Sequence, residues 1–367
     1  MNTQRLKTLQ KNLVKPILIK KKENLYYLTG RSFDYRAEEY LLVTKKDVVG
    51  FGSGLETMDW IKKSDRLKNL KRYIGRSNLD IEYGFTYGEG EYLKYKGVKA
   101  KPFRSVVDVM RQVKDADELG KIRKSMQIVE KVFALVKKEI VKPGMTEVKL
   151  AKFIQSSGLK LGAEDVSFPA IVASGANAAI PHHVPSEKKL KAGESIILDF
   201  GFKYQNYCSD FTRTVFLKTV PKKLELAYNQ VEKAYNECLS LRVQPKQSSL
   251  NNRLPRRLSD ALKTPRNDEQ LTGNDLYQKS VKILSEKNLE KYFIHSLGHG
   301  TGLEIHELPN LSPSSKDILK NGMVFSIEPG VYIPKLGGIR IEDLVYLKSG
   351  KVEKFINVST KLADNIF

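Results

Sequence analysis

Two apolar runs in this chain end in a carboxylate: Ile196-Ile197-Leu198 leads into Asp199, and Val324-Phe325-Ser326-Ile327 leads into Glu328. Short apolar runs of this kind read as buried strands. A buried strand does not carry an acid unless something pairs it, because an unpaired charge away from water is costly. A second acid, Asp210, stands eleven positions after Asp199 in YCSDFTRT. Two strands joined by a short turn around residues 203–206 would bring Asp199 and Asp210 together. Like charges side by side need a counter-cation, either Arg213 or a metal ion. Gly337-Gly-Ile-Arg340-Ile-Glu342-Asp343 places a fourth acid on another β-like run. Taken singly, each of these acids has an ordinary explanation as half of a salt bridge.

The histidines point the same way. Three of the five, His295, His299 and His306, fall within IHSLGHGTGLEIHELP at 294–309, and the other two, His182 and His183, are adjacent upstream. Histidine is the commonest metal ligand and titrates nearest neutral pH. Gly298, Gly300 and Gly302 alternate around His299, so backbone can approach closely there. A buried neutral histidine in a turn is the plainer alternative for any one of them. Asp199, Asp210, His299, Glu328 and Glu342 together offer four hard carboxylates and one imidazole, a set that suits a pair of divalent ions such as Mn, Co or Fe, with Zn also accommodated.

The 367 residues are enough for two domains with ample core. The net charge of +21 raises the question of nucleic acid or an anionic membrane. The lysines are spread along the whole chain, however, and no nucleic-acid-binding signature interrupts them, so neither partner is expected. Two cysteines, Cys208 and Cys238, make no disulfide framework and suggest a reducing compartment. The first residues lack the apolar core of a signal peptide, and no run approaches a membrane span. A cytoplasmic protein is expected.

Residues 1–113 read as an α/β unit, a scaffold or substrate-gating domain without histidine. Ile17–Ile19 is a short strand, Glu23–Leu28 a helical turn stopped at Gly30, and 40–44 with 48–51 a hairpin around Lys45-Lys46-Asp47. A helix-like segment surrounds Trp60, and Arg72–Ile74 reads as a further strand. Asp115 to Glu118 forms a capping box opening a long helix, with Leu119, Ile122, Met126, Val129, Phe133 and Val136 on one face. Pro143-Gly144 ends it, and Thr146 caps another helix running to about Gly162. Residues 242–267 hold seven basic side chains and one acid, interrupted by Pro245, Pro255 and Pro265. They read as a surface insertion, without the interleaved aromatics of a nucleic-acid-binding loop. Thr272 to Asp275 then starts another helix, apolar at Leu276, Val281 and Leu284.

The motifs LDFG at 198–201, SDFTRT at 209–214, HSLGHGTGLEIHE at 295–307, SIEPG at 326–330 and RIED at 340–343 occur in order. This set resembles the pita-bread metallopeptidases, the family of the methionine aminopeptidases, aminopeptidase P and prolidase, over about residues 115–360. The first 113 residues, with YLTG at 27–30, are similar to the creatinase-type N-terminal domain of the proline-specific branch. The resemblance implies an α+β chain, with the smaller N-terminal α/β domain at 1–113 and a pita-bread catalytic domain at 114–367. It implies a dinuclear-metal peptidase that cleaves the Xaa-Pro bond at the N-terminus of peptides, or in dipeptides, through a metal-bridging hydroxide.

The same resemblance implies roles for individual residues. Asp199 would chelate one metal, Asp210 and Glu342 would bridge both, and His299 and Glu328 would bind the second. Glu328 would also be general base and proton shuttle. His182, His295 and His306 match histidines near the substrate, and Arg340 an arginine near the metal site. His183 has no counterpart and reads as an exposed neighbour of His182. A homodimer is expected by analogy. The arginine that follows the HE motif in some prolidases is replaced by Pro309-Asn310-Leu311, which leaves dipeptide and longer-peptide specificity both open. Two other readings compete: a non-catalytic pita-bread protein binding nucleic acid or protein through its basic surface, and metal-free creatinase-like hydrolysis. Retention of all five ligand positions favours the metallopeptidase over both.

Overall fold

The computed structural model describes residues 2–33, 38–52, 67–103, 105–242 and 270–367. The segment around Trp60, and all of the 242–267 stretch except Arg242, lie outside them. The chain divides into two compact units, one holding the described residues up to Arg111 and the other those from Gln112 onward.

The first unit holds α1 (Asn2–Asn12), β1 (Ile17–Ile19), α2 (Lys22–Thr29), β2 (Tyr40–Val43), β3 (Val48–Phe51), α3 (Lys71–Ile74), β4 (Leu79–Glu82), α4 (Tyr87–Tyr95), β5 (Ala100–Phe103) and α5 (Val106–Arg111). Its sheet runs β3-β2-β1-β4-β5, with β1-β4-β5 parallel and the β2–β3 hairpin antiparallel on the other side. The expected helical turn is α2, and Gly30 closes it in the left-handed region at φ 75°. Buried Glu82 at the end of β4 accepts from the backbone N–H groups of Lys20 and Lys21 and from Asn24, tying the strand to the start of α2. One expectation fails. Residues 72–74 belong to helix α3, not a strand, because buried Leu70 and Ile74 recur at helical spacing while Lys71 and Arg72 point outward.

The second unit opens with α6 (Ala116–Glu139), whose N-terminus carries the expected reciprocal capping box between Asp115 and Glu118. Ile122, Met126, Val129, Phe133 and Val136 are buried on its inner face, and Leu119 is half-buried. Then come α7 (Glu147–Lys160), capped by Thr146, β6 (Asp165–Val166), β7 (Ile171–Ser174), β8 (Ser195–Asp199), β9 (Phe202–Tyr204), β10 (Tyr207–Cys208), β11 (Phe211–Phe216) and α8 (Lys222–Ser240). After them follow α9 (Gly273–Ser285), β12 (Gly298–Gly300), β13 (Glu307–Leu311), β14 (Val324–Ile327), β15 (Gly330–Ile333), β16 (Gly337–Arg340), β17 (Glu342–Lys348) and β18 (Lys351–Lys354). The main sheet runs β13-β12-β14-β17-β11-β8-β7, with β18 also paired to β17. Helices α8 and α9 pack together over it, and Leu224, Tyr228, Val231, Leu276 and Leu284 share one core with Phe325 and Ile327 of β14. The chain is thus α+β, as expected. No described helix is long and apolar enough to cross a membrane.

The sheet's central register is held by a buried ion pair. Arg213 on β11 is fully buried and reaches Asp343 on β17 with Nη2 at 2.9 and 3.0 Å from the two carboxylate oxygens. Its remaining N–H groups donate to the carbonyls of Thr212, Glu342, Val358 and Ser359. The Tyr235 hydroxyl of α8 donates a short hydrogen bond to the same carboxylate. Arg213 is therefore not the counter-cation of Asp199 and Asp210, although it was one of the two candidates for that place. Alternation on β11 sends residue 213 to the face opposite 212 and 214. Removing one partner of a buried pair strands the other. Arg213→Met is expected to destabilise the protein by about 3–5 kcal/mol in urea titrations, and a loss below about 1 kcal/mol would show that Asp343 is compensated without it.

Candidate functional site

The acids are delivered to one place by strand pairing. Asp199 ends β8, Asp210 immediately precedes β11, and these strands pair antiparallel with Thr212 opposite Asp199. The chain between them reverses through the β9–β10 hairpin, whose turn residues Gln205 and Asn206 both have positive φ, 48° and 67°. Glu342 begins β17 opposite Thr212. Glu328 follows β14, and His299 is the middle residue of β12, which pairs with both β13 and β14. That strand is squeezed. A Cβ on Gly298 would stand 2.1 Å from the Ser326 carbonyl oxygen, and one on Gly300 2.1 Å from that of Leu308. The close approach expected around His299 is what the glycines permit.

His299 Nε2 lies 3.5 Å from Asp210 Oδ2 and 3.4 Å from Glu328 Oε1. Its Nδ1 is 3.1 Å from the Gly300 carbonyl, which can only accept, so the proton resides on Nδ1 and the Nε2 lone pair faces the acids. Ligand atoms of Asp210, His299 and Glu342 all fall within 4.8 Å of one another. Arg340, at the end of β16 and buried, is the cation that meets Asp199, at 2.5 Å. Its Nε donates to Thr212 Oγ1, which in turn donates to Glu342 Oε2 at 2.6 Å. Ser326 accepts from the His299 backbone N–H and donates to Glu328 at 3.0 Å.

Four carboxylates thus face one guanidinium, and their proton affinities record the imbalance. Burial raises Asp199 despite Arg340. Burial, then the charges of Asp199 and Glu328, holds Asp210 well above the ordinary carboxylate range. Burial, then Asp210, Glu328 and Asp199, does the same to Glu342. Glu328 is pushed up to about 7 by burial, with Asp199 adding to it and Arg340 opposing it. Asp199 Oδ1 and Glu342 Oε1 are buried without a hydrogen-bond partner among the described residues. Hard oxygen donors, a correctly oriented imidazole nitrogen and two orphaned carboxylate oxygens fit divalent cations.

These groups line a cavity of about 620 Å³ whose other walls include Phe168, Ile171, His182, Val184, His295 and His306. His295 gives its Nδ1 proton to the Ser296 carbonyl at 2.7 Å, so Nε2 accepts from the Tyr332 hydroxyl at 2.9 Å. Tyr332 in turn accepts from Arg340 at 2.7 Å. Burial first, then the Arg340 charge, lowers His295 to about 4 and keeps it neutral. The His306 ring packs edge-on to His299, with centroids 4.3 Å apart, and burial, the largest cause, lowers it to about 4 as well. His182 is exposed on the cavity wall. His183 is not the exposed neighbour it was expected to be. It turns inward to buried Glu147, 2.9 Å away.

Sequence reasoning missed Thr212, Ser326, Tyr332 and Glu147. The first two carried a signal: each is a hydroxyl inside an apolar strand, on the same face as an acid two positions away. Glu147 carried none, since its partners lie 27 to 39 positions away, and Tyr332 none, since a tyrosine in an apolar strand is ordinary core.

The description of metallopeptidase family M24 matches residues 120–349. The chain is 32% identical to the Xaa-Pro dipeptidase of Pyrococcus horikoshii over 96% of each protein. It is 34% identical to a putative Xaa-Pro aminopeptidase of Mycoplasma pneumoniae, over 94% of this chain and 93% of that one. Among solved structures, the prolidase from Pyrococcus horikoshii superposes with a TM-score of 0.82 at 29% identity, covering 98% of this chain and 99% of that one. The Xaa-Pro dipeptidase from Bacillus anthracis superposes with a TM-score of 0.86 at 26% identity over the whole of both. The pita-bread fold expected from the motifs is therefore the fold of this chain, which belongs to the proline-specific branch of metallopeptidase family M24.

Proposed function

We propose that this metallopeptidase uses two divalent ions to cleave the bond between an N-terminal residue and a following proline. The observation that carries the reading is the charge imbalance: four carboxylates, three buried and Glu328 half-buried, against one guanidinium, with two carboxylate oxygens orphaned. One divalent ion would leave the cluster anionic, whereas two would leave it with a net positive charge, the sign that stabilises negative charge developing on a substrate carbonyl. Asp199 would hold one ion, Asp210 and Glu342 both, and His299 and Glu328 the other. Mn or Co suits this oxygen-rich set, with Zn or Fe also accommodated. Such a pair lowers the pKa of a water and polarises a carbonyl.

The chain's own residues do the rest. Glu328, held by the Ser326 hydroxyl at 3.0 Å, accepts the proton of the attacking water and returns it to the leaving nitrogen. Proline's nitrogen is tertiary in the substrate, so that protonation matters more than usual. Neutral His295 and His306, with His182, line the cavity where the substrate would lie. Arg340 holds Asp199 and, through Thr212, orients Glu342. A substrate amine would be drawn to the acidic end of the cavity. The relatives named as Xaa-Pro dipeptidases and a putative Xaa-Pro aminopeptidase support the substrate class and leave peptide length open. We read residues 1–113 as the creatinase-type N-terminal domain, 114–367 as the catalytic domain, and the protein as a cytoplasmic homodimer.

Metal-stripped protein resupplied with Mn or Co is expected to hydrolyse Xaa-Pro dipeptides or Xaa-Pro-Yaa tripeptides. Glu328→Gln should lower kcat by about 10²–10⁴-fold. No turnover with any metal, from protein that still binds two ions, would sink the reading; the ratio of dipeptide to tripeptide rates assigns peptide length. Metal uptake should also release protons. Asp210 and Glu342 titrate well above the usual range and Glu328 near 7, so at neutral pH the metal-free cluster retains protons that binding must expel. Affinity should therefore rise with pH up to and beyond 7. Calorimetric titration in two buffers of different ionisation enthalpy reads the proton count, and a count of zero would mean the acids are already ionised without metal.

A further inference from the structure

His182 stands on the cavity wall, yet among the described residues no hydrogen bond holds its ring. Its position must come from the backbone of Pro181-His182-His183-Val184-Pro185, which forms no helix or strand. That segment is tied down elsewhere. Glu147, the first residue of α7, is fully buried, and its carboxylate accepts from six donor groups on two neighbouring stretches of chain. Oε1 takes the Ser174 backbone N–H at 2.8 Å and its hydroxyl at 2.7 Å. Oε2 takes His183 Nε2 at 2.9 Å, the Ser186 hydroxyl at 2.7 Å and the Ser186 backbone N–H at 3.1 Å. Asn177 Nδ2 lies 3.1 and 3.2 Å from the two oxygens. The backbone repeats the stitch: Glu147 N–H donates to the Lys188 carbonyl and Val148 N–H to that of Ser186.

We infer that Glu147 is a positioning residue for the reaction, fixing the 181–186 segment through His183 and Ser186 so that His182 is presented to the substrate. The inference rests on the peptidase reading for its kinetic consequence. A carboxylate suits the task because it only accepts, and every group around it donates. Since Oε2 can only accept, His183 carries its proton on Nε2. Burial pushes Glu147 up, but hydrogen bonds from Ser186, Ser174, His183 and Asn177 outweigh it and hold the group down at about 2. Glu147 is thus ionised throughout the neutral range. None of the five residues read as metal ligands touches it, so replacing it tests the loop without disturbing the metal set.

The experiment compares Glu147→Gln with wild type in two backgrounds, native and His182→Ala, on an Xaa-Pro-Yaa peptide with Mn. If Glu147 acts through His182, Glu147→Gln lowers kcat/KM roughly tenfold in the native background and less than about twofold when His182 is already gone. Metal stoichiometry stays unchanged. Ser186→Ala, which removes one tie and keeps the carboxylate, should show the same pattern at smaller amplitude and covers the case in which Glu147→Gln does not fold. Equal losses in both backgrounds would overturn the inference, because a general packing defect is indifferent to His182. The second arm is nitrogen-15 NMR of the histidine rings. Wild type should show an Nε2-protonated His183, and Glu147→Gln should shift both the His183 and His182 signals. A His182 signal that does not move overturns the inference. Should wild type cleave no Xaa-Pro peptide, the peptidase reading fails and the NMR arm alone decides whether Glu147 positions the loop.

Discussion

Gathering four acids, three of them buried, at the ends of neighbouring strands is the constraint from which most of this unit follows. Each strand end must deliver its carboxylate to within a few ångströms of the others, and a slip of one residue in any pairing would turn an acid to the opposite face. The β11–β17 register matters most, because it sets Glu342 opposite Thr212 and beside Asp210. That register is fixed from behind by Arg213 and Asp343, and Arg213 also donates to the backbone carbonyls of Thr212 and Glu342. Adjacent residues of the same two strands therefore serve opposite ends. The outward pair neutralises itself and holds the strands, while the inward acids remain uncompensated.

Hydroxyl groups turn this placement into orientation. Thr212 receives a hydrogen bond from Arg340 and passes one to Glu342. Ser326 receives one from the His299 backbone and passes one to Glu328. Each hydroxyl both accepts and donates, so it engages one oxygen of its acid, and in Glu328 that oxygen, Oε1, is also the one 3.4 Å from His299 Nε2. In Glu342 the engaged oxygen is Oε2 and the orphan is Oε1, and in Asp199 the Arg340-bound oxygen is Oδ2 and the orphan is Oδ1. The orphaned atoms are thus the predictable remainder of a network that secures one side of these two carboxylates.

What was legible in the sequence was the set of groups that carry chemistry locally. Asp199 and Glu328 announced themselves because an acid at the end of an apolar run is anomalous, and His299 because glycines surround it. The capping box at Asp115 and the hairpin around Lys45-Lys46-Asp47 depend on residues within a few positions of each other and were equally plain. The strand read at 72–74 failed because three residues cannot distinguish alternation from the start of a helical turn. Pairing over long separations was not legible. Arg213 and Arg340 both stand in apolar runs beside acids, and only the pairing of β11 with β17 and the packing of β16 against β8 decide that the first meets Asp343 and the second Asp199. His183 was misplaced for the same reason, since its partner lies 36 positions away on a helix.

The two halves of the site are consequently built to different standards of rigidity. The acids and His299 lie on or beside paired strands and gain their precision from the sheet. His295 is fixed by the chain from Asp199 through Arg340 and Tyr332, so its orientation follows the same framework. His182 belongs to neither arrangement: the segment that bears it has no ladder, and prolines at 181 and 185 remove two backbone donors. An irregular segment of this kind holds a side chain in register only if its backbone is anchored on both sides. Here the Pro181 carbonyl accepts from Arg340 at 3.4 Å, and the far side is bound to Glu147. One buried charge therefore does for the loop what strand pairing does for the acids.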